Sequence, residues 1–280
     1  MLRSAGFLVQ RYMLGRHTVL ARAPAFDLEL RVPARDEVGR NLYRDGMHKP
    51  DVTHLIATTL ELEPDDLVFD IGASIGWYTM LLASVAPRGA SIHAFEPDPW
   101  LRGLLQENVS RNRADTVTVI DAAAGETPGP GVLHRYGHRR RNQNGLLSMK
   151  RAEAVEIRMT SLDEHCRENE LTARPVGFIK LDVKGFEFAV LRGARQTLGR
   201  CRAVLTEFSP ARLQEADVHP ATMLDLLVEH GFQPALLEGG ELRDVSRAEL
   251  LASDQECTLF WQRPTSPRPP RAPDPDAFAI

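Results

Sequence analysis

The chain has 280 residues, of which 43% are hydrophobic and 26% are charged, and its formal net charge is −4. This composition is ordinary for a soluble globular protein and excludes a collagen-like or wholly disordered chain. The slightly acidic balance excludes a general nucleic-acid-binding protein, and no apolar run approaches the roughly 20 residues that span a bilayer. The three cysteines have no metal-ligand or redox spacing, so we expect reduced thiols in a cytoplasmic protein.

The two ends of the chain differ from its middle. The first 24 residues contain four arginines and no acid. This basic, partly apolar pattern predicts that residues 1–40 form a helical cap over the domain, with a helix on a membrane surface as the alternative. Six prolines fall within residues 263–280, which predicts a disordered tail. Residues 41–262 are therefore expected to form one domain.

Strand and helix patterns alternate through this central segment. The predicted strands are 66–71, 91–96, 117–122, 176–182, 202–208, 233–238 and 257–262. The predicted helices are 75–86, 99–113, 186–198 and 220–230. The alternation predicts an α/β fold with a doubly wound, mostly parallel sheet. Most of the strands are continuous apolar runs, which indicates a sheet covered on both faces.

Acids stand where several of these strands end, at the edge where such sheets bind their ligands. They are Asp70, Glu96, Asp121, Asp182 and Glu207. Because so many carboxylates are expected along one edge, we predict a ligand rich in hydroxyl and amino groups.

A glycine turn, DIGASIG, follows the first of these strands at residues 70–76. Gly72 and Gly76 allow a tight turn close to a ligand, and the next helix presents free N–H groups there. The spacing is not the G-x-G-x-x-G of dinucleotide-binding proteins, because Ser74 occupies the middle position. Asp70 would repel a pyrophosphate but suits an ammonium group. The turn therefore favours the amino-acid end of S-adenosylmethionine over NAD, whose dehydrogenases are the alternative class of enzyme.

The other cofactor contacts follow from the next strand ends. Glu96 can accept both ribose hydroxyl hydrogens, although NAD enzymes use the same device. Asp121 suits the adenine amino group and the Ala122 N–H a ring nitrogen, while a helix cap or turn is the alternative for Asp121. The predicted cofactor-binding residues are Asp70, Gly72, Ala73, Ser74, Gly76, Tyr78, Glu96, Pro97, Asp121, Ala122 and Asp182.

A set of motifs in this order resembles the FkbM-type methyltransferases. The set comprises DIGASIGWYTMLLA, AFEPDP, the pair Asn108 and Asn112, TSLDEH, FIKLDVKGFEFAVLRGA and LTEF, within about residues 40–210. The resemblance implies a Rossmann-like class I methyltransferase fold and S-adenosylmethionine as cofactor. It also implies O-methylation of a sugar, polyketide or other secondary metabolite. Two positions depart from the family pattern, since Ser74 stands for an asparagine and Lys184 for an acid.

Methyl transfer to an alcohol needs a general base or a metal that lowers the alcohol's pKa. Asp182 is predicted at the reacting centre, with Lys180 on the same side of its strand and paired to Asp182 or Glu187. Glu207 can take the proton, or bind a divalent cation together with Asp182. Two carboxylates do not require a metal, so no metal site is predicted. His48, ahead of the first core strand, is a further candidate base.

We therefore expect an enzyme that methylates a hydroxyl group of a small molecule. The alternatives are an N-methyltransferase of the same fold and a non-catalytic adenosyl-binding module. The arginine-rich residues 134–145 are either a substrate loop that attracts anions or a solvated hairpin tip. Nucleic acid is a weaker candidate for the partner of this loop than a small anionic substrate. The sequence is also compatible with a homo-oligomer.

Overall fold

Strands and helices alternate along most of the chain. The computed structural model describes residues 17–136, 144–147 and 152–264. The strands are β1 (Thr18–Ala23), β2 (Leu28–Pro33), β3 (Leu67–Ile71), β4 (Ser91–Phe95), β5 (Val117–Ile120), β6 (Ala123–Ala124), β7 (Gly129–Arg135), β8 (Glu153–Thr160), β9 (Val176–Leu181), β10 (Cys201–Phe208), β11 (Gln233–Glu238), β12 (Glu241–Asp244) and β13 (Cys257–Gln262). The helices are α1 (Glu37–Asp45), α2 (Pro50–Thr58), α3 (Trp77–Val85), α4 (Pro99–Arg111), α5 (Leu162–Glu168), α6 (Glu187–Arg192), α7 (Arg195–Gly199), α8 (Pro210–Glu215), α9 (Pro220–Glu229) and α10 (Arg247–Leu251).

The central sheet has the strand order β12-β11-β13-β10-β9-β3-β4-β5. Strands β3, β4, β5, β9 and β10 pair in parallel, whereas β11, β12 and β13 pair antiparallel. This confirms the predicted α/β fold with a doubly wound, mostly parallel sheet. The chain winds outward from β3 to β5 and returns on the other side of β3 at β9, so the strand order reverses between β3 and β9. Ligand crevices form at such reversals.

Both faces of the central strands are covered by apolar side chains. Val68 of β3 and Phe178 of β9 belong to one apolar cluster, while Phe69 and Ile179 belong to the other. Every residue of β3 and β9 is buried. A strand buried on both faces has no polar side to alternate with, which is why these segments are apolar in the sequence apart from Asp70 and Lys180, which pair with each other.

The segment predicted as a helical cap is different in the structure. Within its described part, β1 and β2 form an antiparallel hairpin, and the first helix begins only at Glu37. Buried and less buried residues alternate along both strands, and this period of two is the pattern of a strand. The helical prediction for residues 18–33 was therefore wrong, because it weighed charge and overall apolarity rather than period.

A smaller sheet with the order β6-β8-β7 flanks the central sheet. Most of the predicted basic loop lies outside the described residues, as do residues 1–16 of the predicted cap and 265–280 of the predicted tail. In the described ranges, no helix is long and apolar enough to cross a membrane.

Candidate active site

A cavity of about 530 Å³ opens at the carboxyl ends of β3, β4, β9 and β10, at the reversal of strand order. It is lined by many of the residues that the sequence singled out, namely His48, Gly72, Ala73, Ser74, Tyr78, Glu96, Pro97, Lys180, Asp182 and Glu207. Four predicted residues are not on its wall: Asp70, Gly76, Asp121 and Ala122.

The glycine turn forms one side of this cavity. Gly72 and Gly76 have φ values of +75° and +89°, in the left-handed region that favours glycine. A Cβ at Gly72 would lie 2.2 Å from the carbonyl oxygen of Asp182, and one at Gly76 would lie 2.5 Å from Leu105 Cδ1. Gly72 thus brings the turn against the end of β9, while Gly76 lets α3 pack on α4. The first-turn amides of α3 have no acceptor within the helix.

Asp70 lies beneath the turn and is fully buried. Its Oδ1 accepts a hydrogen bond from Lys180 Nζ at 2.9 Å, and its Oδ2 accepts one from Thr79 Oγ1 at 2.6 Å. The expected contact between Asp70 and a cofactor ammonium group is not supported, and Lys180 pairs with Asp70 rather than with Asp182 or Glu187. The reason is register, because Asp70 and Lys180 are direct neighbours across β3 and β9, and a buried charge requires a partner.

Lys180 also acts on the turn itself. Its Nζ donates to the carbonyl oxygen of Gly72 at 3.3 Å and lies 5.1 Å from the centre of the Tyr78 ring, within the range of a cation–π contact. Among the described residues, the buried Tyr78 hydroxyl has no hydrogen-bond partner. This hydroxyl is thus a buried, unsatisfied polar group of a residue in the cavity wall.

Glu96 joins the end of β4 to the glycine turn. Its two carboxylate oxygens accept hydrogen bonds from the backbone amides of Ser74 and Asp98, both at 2.8 Å. Burial raises the pKa of Glu96 to about 7, although these amide bonds and Lys180 act in the opposite direction. A carboxylate has about four acceptor sites, so Glu96 retains capacity to accept hydroxyl hydrogens from the cavity.

The predicted adenine contacts do not face the cavity. The Asp121 side chain is 69% exposed and forms an ion pair with Arg102 at 2.7 Å. Strand β5 ends at Ile120, and Arg102 on α4 holds the carboxylate outside the crevice. Ala122 is fully buried and also lies off the wall, whereas the next two residues, Ala123 and Ala124, line it.

Two lysines and two carboxylates, here called the lysine–carboxylate cluster, line the cavity together: Lys49, Asp182, Lys184 and Glu207. Lys184 Nζ lies 2.5 Å from Asp182 Oδ1 and 3.5 Å from Glu207 Oε2. Lys49 Nζ contacts Glu207 Oε1 and lies 3.8 Å from Asp182 Oδ2. When both lysines are protonated, the charges of the cluster balance.

Burial and the neighbouring charges shift the pKa values of the residues in the cluster. Burial alone would raise the pKa of Asp182, but Lys184, Lys49 and Lys180 together hold it well below its usual range. Burial would lower the pKa of Lys184, but contact with Asp182 outweighs it, so this pKa is raised. Burial lowers the pKa of Lys49 in spite of Asp182. The neighbouring lysines thus favour the ionised form of Asp182, which makes its carboxylate a weak base.

Sequence reasoning missed Lys49 altogether. A signal was present, because 30 of the 34 basic residues are arginines and the lysines are only Lys49, Lys150, Lys180 and Lys184. Three of these four line the cavity.

His48 lines the cavity as predicted, but outside the cluster. Its Nδ1 lies 3.3 Å from Asn41 Nδ2. Burial lowers the pKa of His48 to about 4, and Lys49 adds to this effect. The imidazole is therefore neutral at neutral pH and a weak base.

The alternative role of Asp182 and Glu207 was to bind a divalent cation together. In the structure, both carboxylates are in contact with lysine ammonium groups. Within residues 17–136, 144–147 and 152–264, no three His, Cys, Asp or Glu side chains are grouped so as to hold a metal ion. The two carboxylates considered for a cation, Asp182 and Glu207, are thus both engaged in ion pairs.

Comparison with known proteins decides the family. The sequence model of the Methyltransferase FkbM domain matches residues 70–234, more than half of the chain. The chain belongs to the FkbM methyltransferase family. This confirms the resemblance seen in the motifs. The FkbM match begins at the glycine turn and ends in β11, so the hairpin β1–β2 and the helices α1 and α2 lie outside it, together with His48 and Lys49.

Three curated relatives of this FkbM-family chain differ in length. The AMB antimetabolite synthetase AmbE of Pseudomonas aeruginosa is 30% identical over 64% of this chain, which spans only 10% of that protein. The 2-O-methyltransferase NoeI of Sinorhizobium fredii is 28% identical, covering 66% of this chain and 82% of its own. The 31-O-demethyl-FK506 methyltransferase of Streptomyces tacrolimicus is also 28% identical, covering 67% of this chain and 82% of its own.

Proposed function

We propose that the chain transfers a methyl group from S-adenosylmethionine to a hydroxyl group of a small molecule such as a sugar, a polyketide or another secondary metabolite. The observation that carries the proposal is that the glycine turn, Glu96 and the lysine–carboxylate cluster line one cavity in a chain of the FkbM family. The names of NoeI and of the FK506 methyltransferase specify an oxygen acceptor, which supports a hydroxyl over an amine.

The wall of the cavity fits this cofactor, which when bound supplies a methyl group activated by a positively charged sulfur. The first-turn amides of α3 suit its amino-acid carboxylate, and Glu96 suits the ribose hydroxyls. The orphaned Tyr78 hydroxyl gains a partner from a ligand in the cavity. Three lysines favour the ionised form of Asp182. Asp182 therefore replaces Asp70 as the carboxylate that faces the positive charge of the cofactor.

The part of the cavity formed by the lysine–carboxylate cluster suits the hydroxyl-bearing acceptor. Glu207 and Lys184 line the cavity and offer an acceptor and a donor to a hydroxyl group. A hydroxyl that bridges such a pair is oriented and polarised before reaction, and orientation of this kind is a major part of catalysis. Because these side chains are partly buried, their charges act more strongly than they would in bulk solution.

Calorimetry tests the cofactor part of the proposal. We expect S-adenosylmethionine and its demethylated product to bind the wild-type chain, and E96A to bind the product about 10- to 100-fold more weakly, because hydrogen bonds to a charged group contribute about 1.5–3 kcal/mol each. D121A is the matched control and should bind as the wild type, since Asp121 is outside the cavity. Equal affinities of E96A and D121A would contradict the assignment.

Product analysis tests the reaction. Incubation with isotopically labelled S-adenosylmethionine and a panel of hydroxylated acceptors should yield a labelled methyl ether, located by mass spectrometry and NMR. A label found only on nitrogen, or cofactor binding without transfer to any acceptor, would overturn the hydroxyl assignment.

A further inference from the structure

We infer that Lys49 is the general base that takes the proton from the acceptor's hydroxyl group. This inference rests on the proposed function and goes beyond the residues that the FkbM domain model matches. It is supported by the backbone at Lys49, by the contrast with Lys184, and by the use of lysine in a chain that otherwise uses arginine.

The backbone holds Lys49 in an unfavourable conformation. Its φ of 45° and ψ of 78° are in the left-handed region, which strains a residue other than glycine by about 1–3 kcal/mol. Side chains hold the segment there, because Thr53 Oγ1 donates to the carbonyl oxygen of His48 at 2.7 Å and Trp77 Nε1 donates to Thr53 Oγ1 at 3.2 Å. The start of α2 is thus tied to α3, the helix of the glycine turn. This arrangement turns the Lys49 side chain into the cavity.

Lys49 and Lys184 share the same two carboxylates but divide them differently. Lys49 contacts Glu207 directly while Lys184 lies 3.5 Å from it, and Lys184 is the lysine closer to Asp182. Lys184 Nζ is 2.5 Å from Asp182 Oδ1, whereas Lys49 Nζ is 3.8 Å from Asp182 Oδ2. Burial lowers the pKa of Lys49, while the Asp182 contact raises that of Lys184. Two like groups whose pKa values are pushed apart mark the acid and base roles of a site. Lys184 remains the cation that stabilises the developing oxyanion, and Lys49 is the amine that gives up its proton.

Two of the groups around Lys49 are poor bases. The titratable or charged groups that face it are His48, Lys180, Asp182, Lys184, Glu207 and Glu256. The pKa of Asp182 is held well below its usual range and that of His48 is lowered to about 4. A base works best when its pKa lies near the working pH, so both are poor candidates. Glu207 contacts both cluster lysines and holds them in place.

The choice of lysine is informative in this chain. Arginine supplies 30 of its 34 basic residues, and arginine would serve as well or better in a static ion pair with two carboxylates. Arginine cannot lose its proton in a protein, whereas a buried lysine can. Lysine is therefore the residue type required where a proton has to move.

The proposed step balances as follows. The lone pair of neutral Lys49 Nζ takes the hydroxyl proton, and the acceptor oxygen uses its electron pair to form the new carbon–oxygen bond. The electron pair of the broken carbon–sulfur bond stays on the sulfur, which becomes neutral. Lys49 is then an ammonium group next to Glu207 and Asp182 and returns its proton to solvent before the next turnover.

Substitution separates a base from an ion pair. K49R keeps the positive charge and the hydrogen-bond donors of Lys49 but cannot act as a base, whereas K49M removes charge and base together. We expect kcat to fall by about 10²- to 10⁴-fold in both variants, with unchanged affinity for the demethylated cofactor. In the wild type, kcat should rise with pH as Lys49 loses its proton, and this rise should be absent in K49R.

NMR gives a readout that needs neither acceptor nor cofactor. The chain has only four lysines, so a sample labelled with ¹³C-lysine gives four sets of side-chain signals, assigned with K49R and K184R. We expect the Lys49 signal to titrate below the ordinary lysine pKa of about 10.4 and that of Lys184 above it.

The outcomes distinguish this inference from the proposed function. Wild-type kcat in K49R, or titration of Lys49 at or above the ordinary lysine value, overturns the role of Lys49 and leaves the proposed function standing. Absence of transfer to any hydroxyl by the wild-type chain overturns both.

Discussion

Asn108 on α4 and Arg31 in β2 are joined through both backbone groups of Arg31. Asn108 Oδ1 accepts from the Arg31 N–H at 2.6 Å, and its Nδ2 donates to the Arg31 carbonyl oxygen at 3.1 Å. The same Nδ2 donates to the carbonyl oxygen of Ile75 in the glycine turn at 2.8 Å. One turn later, Asn112 binds both backbone groups of Glu29. The two asparagines thus pair with the edge of the hairpin as a neighbouring strand would, and Asn108 ties that edge to the cofactor side of the cavity.

We predict that N108A lowers the free energy of unfolding by about 2–4 kcal/mol, because it leaves buried backbone groups of Arg31 and Ile75 without partners. Urea titration measures this change. N112A is the matched control, since Asn112 pairs with the same strand but does not reach Ile75. Only N108A should also weaken binding of the demethylated cofactor, and equal binding by the two variants would contradict a link between hairpin and turn.

We predict that K180M is destabilised by about 3–5 kcal/mol, the usual effect of leaving a buried charge, here Asp70, without its partner. The double variant D70N/K180M should be more stable than the sum of its single changes implies, since it removes both charges. A urea-based double-mutant cycle measures this coupling. Loss of the exposed ion pair in D121A should change stability by less than about 1 kcal/mol. A comparable loss in K180M would show that the buried pair is not structural.

A pair of buried histidines predicts acid sensitivity. His93 Nδ1 and His165 Nε2 lie 3.0 Å apart, and burial lowers the pKa of each to about 4. Both bind protons more readily in the unfolded chain, whose histidine pKa is about 6.5. Their contribution to stability is therefore complete above about pH 6.5 and is lost as the pH falls towards about 4.

The variant H93Q tests this linkage. Each proton taken up on unfolding gives a slope of about 1.4 kcal/mol per pH unit, so removing one histidine should flatten the dependence of stability on pH by up to this amount between about pH 4 and 6.5. Urea titrations at a series of pH values measure the slope. The exposed-site variant D121A should keep the wild-type slope, and an unchanged slope in H93Q would count against the assignment.

Lys184 stands where the resemblance to FkbM-type sequences places an acid. K184E would put a third carboxylate beside Asp182 and Glu207, a donor set that suits Mg²⁺. We predict that Mg²⁺ raises the Tm of K184E, because a ligand that binds only the folded state stabilises it. K184M is the control, since it removes the same ammonium group without adding an oxygen ligand. An equal rise in K184M would show that the cation binds elsewhere.

Much of the fold follows from local patterns. The apolar run of β3 and the glycine turn after it are readable from neighbouring residues, and so is the place of Glu96 at the end of β4. The error at the hairpin arose at the same level, because the alternation along β1 and β2 was outweighed by the arginines around it. The period of the hydrophobic pattern indicates which face of a strand or helix is buried. Charged residues near an end of the chain indicate little about secondary structure.

The sequence by itself determined the order of β3, β4, β5, β9, β10, β11 and β13 and the edge of the sheet where ligands bind, because hydrophobic period, glycine turns and strand ends are local properties. Only the tertiary structure decided which charged residues form ion pairs with each other. Asp70 and Lys180 are 110 positions apart and pair through the register of β3 and β9. Asp121 turns outward to Arg102, and Lys49 enters the cavity from a strained residue ahead of α2. Such partners are chosen by the three-dimensional packing of distant segments, since a buried charge is tolerated only where a partner is brought to it.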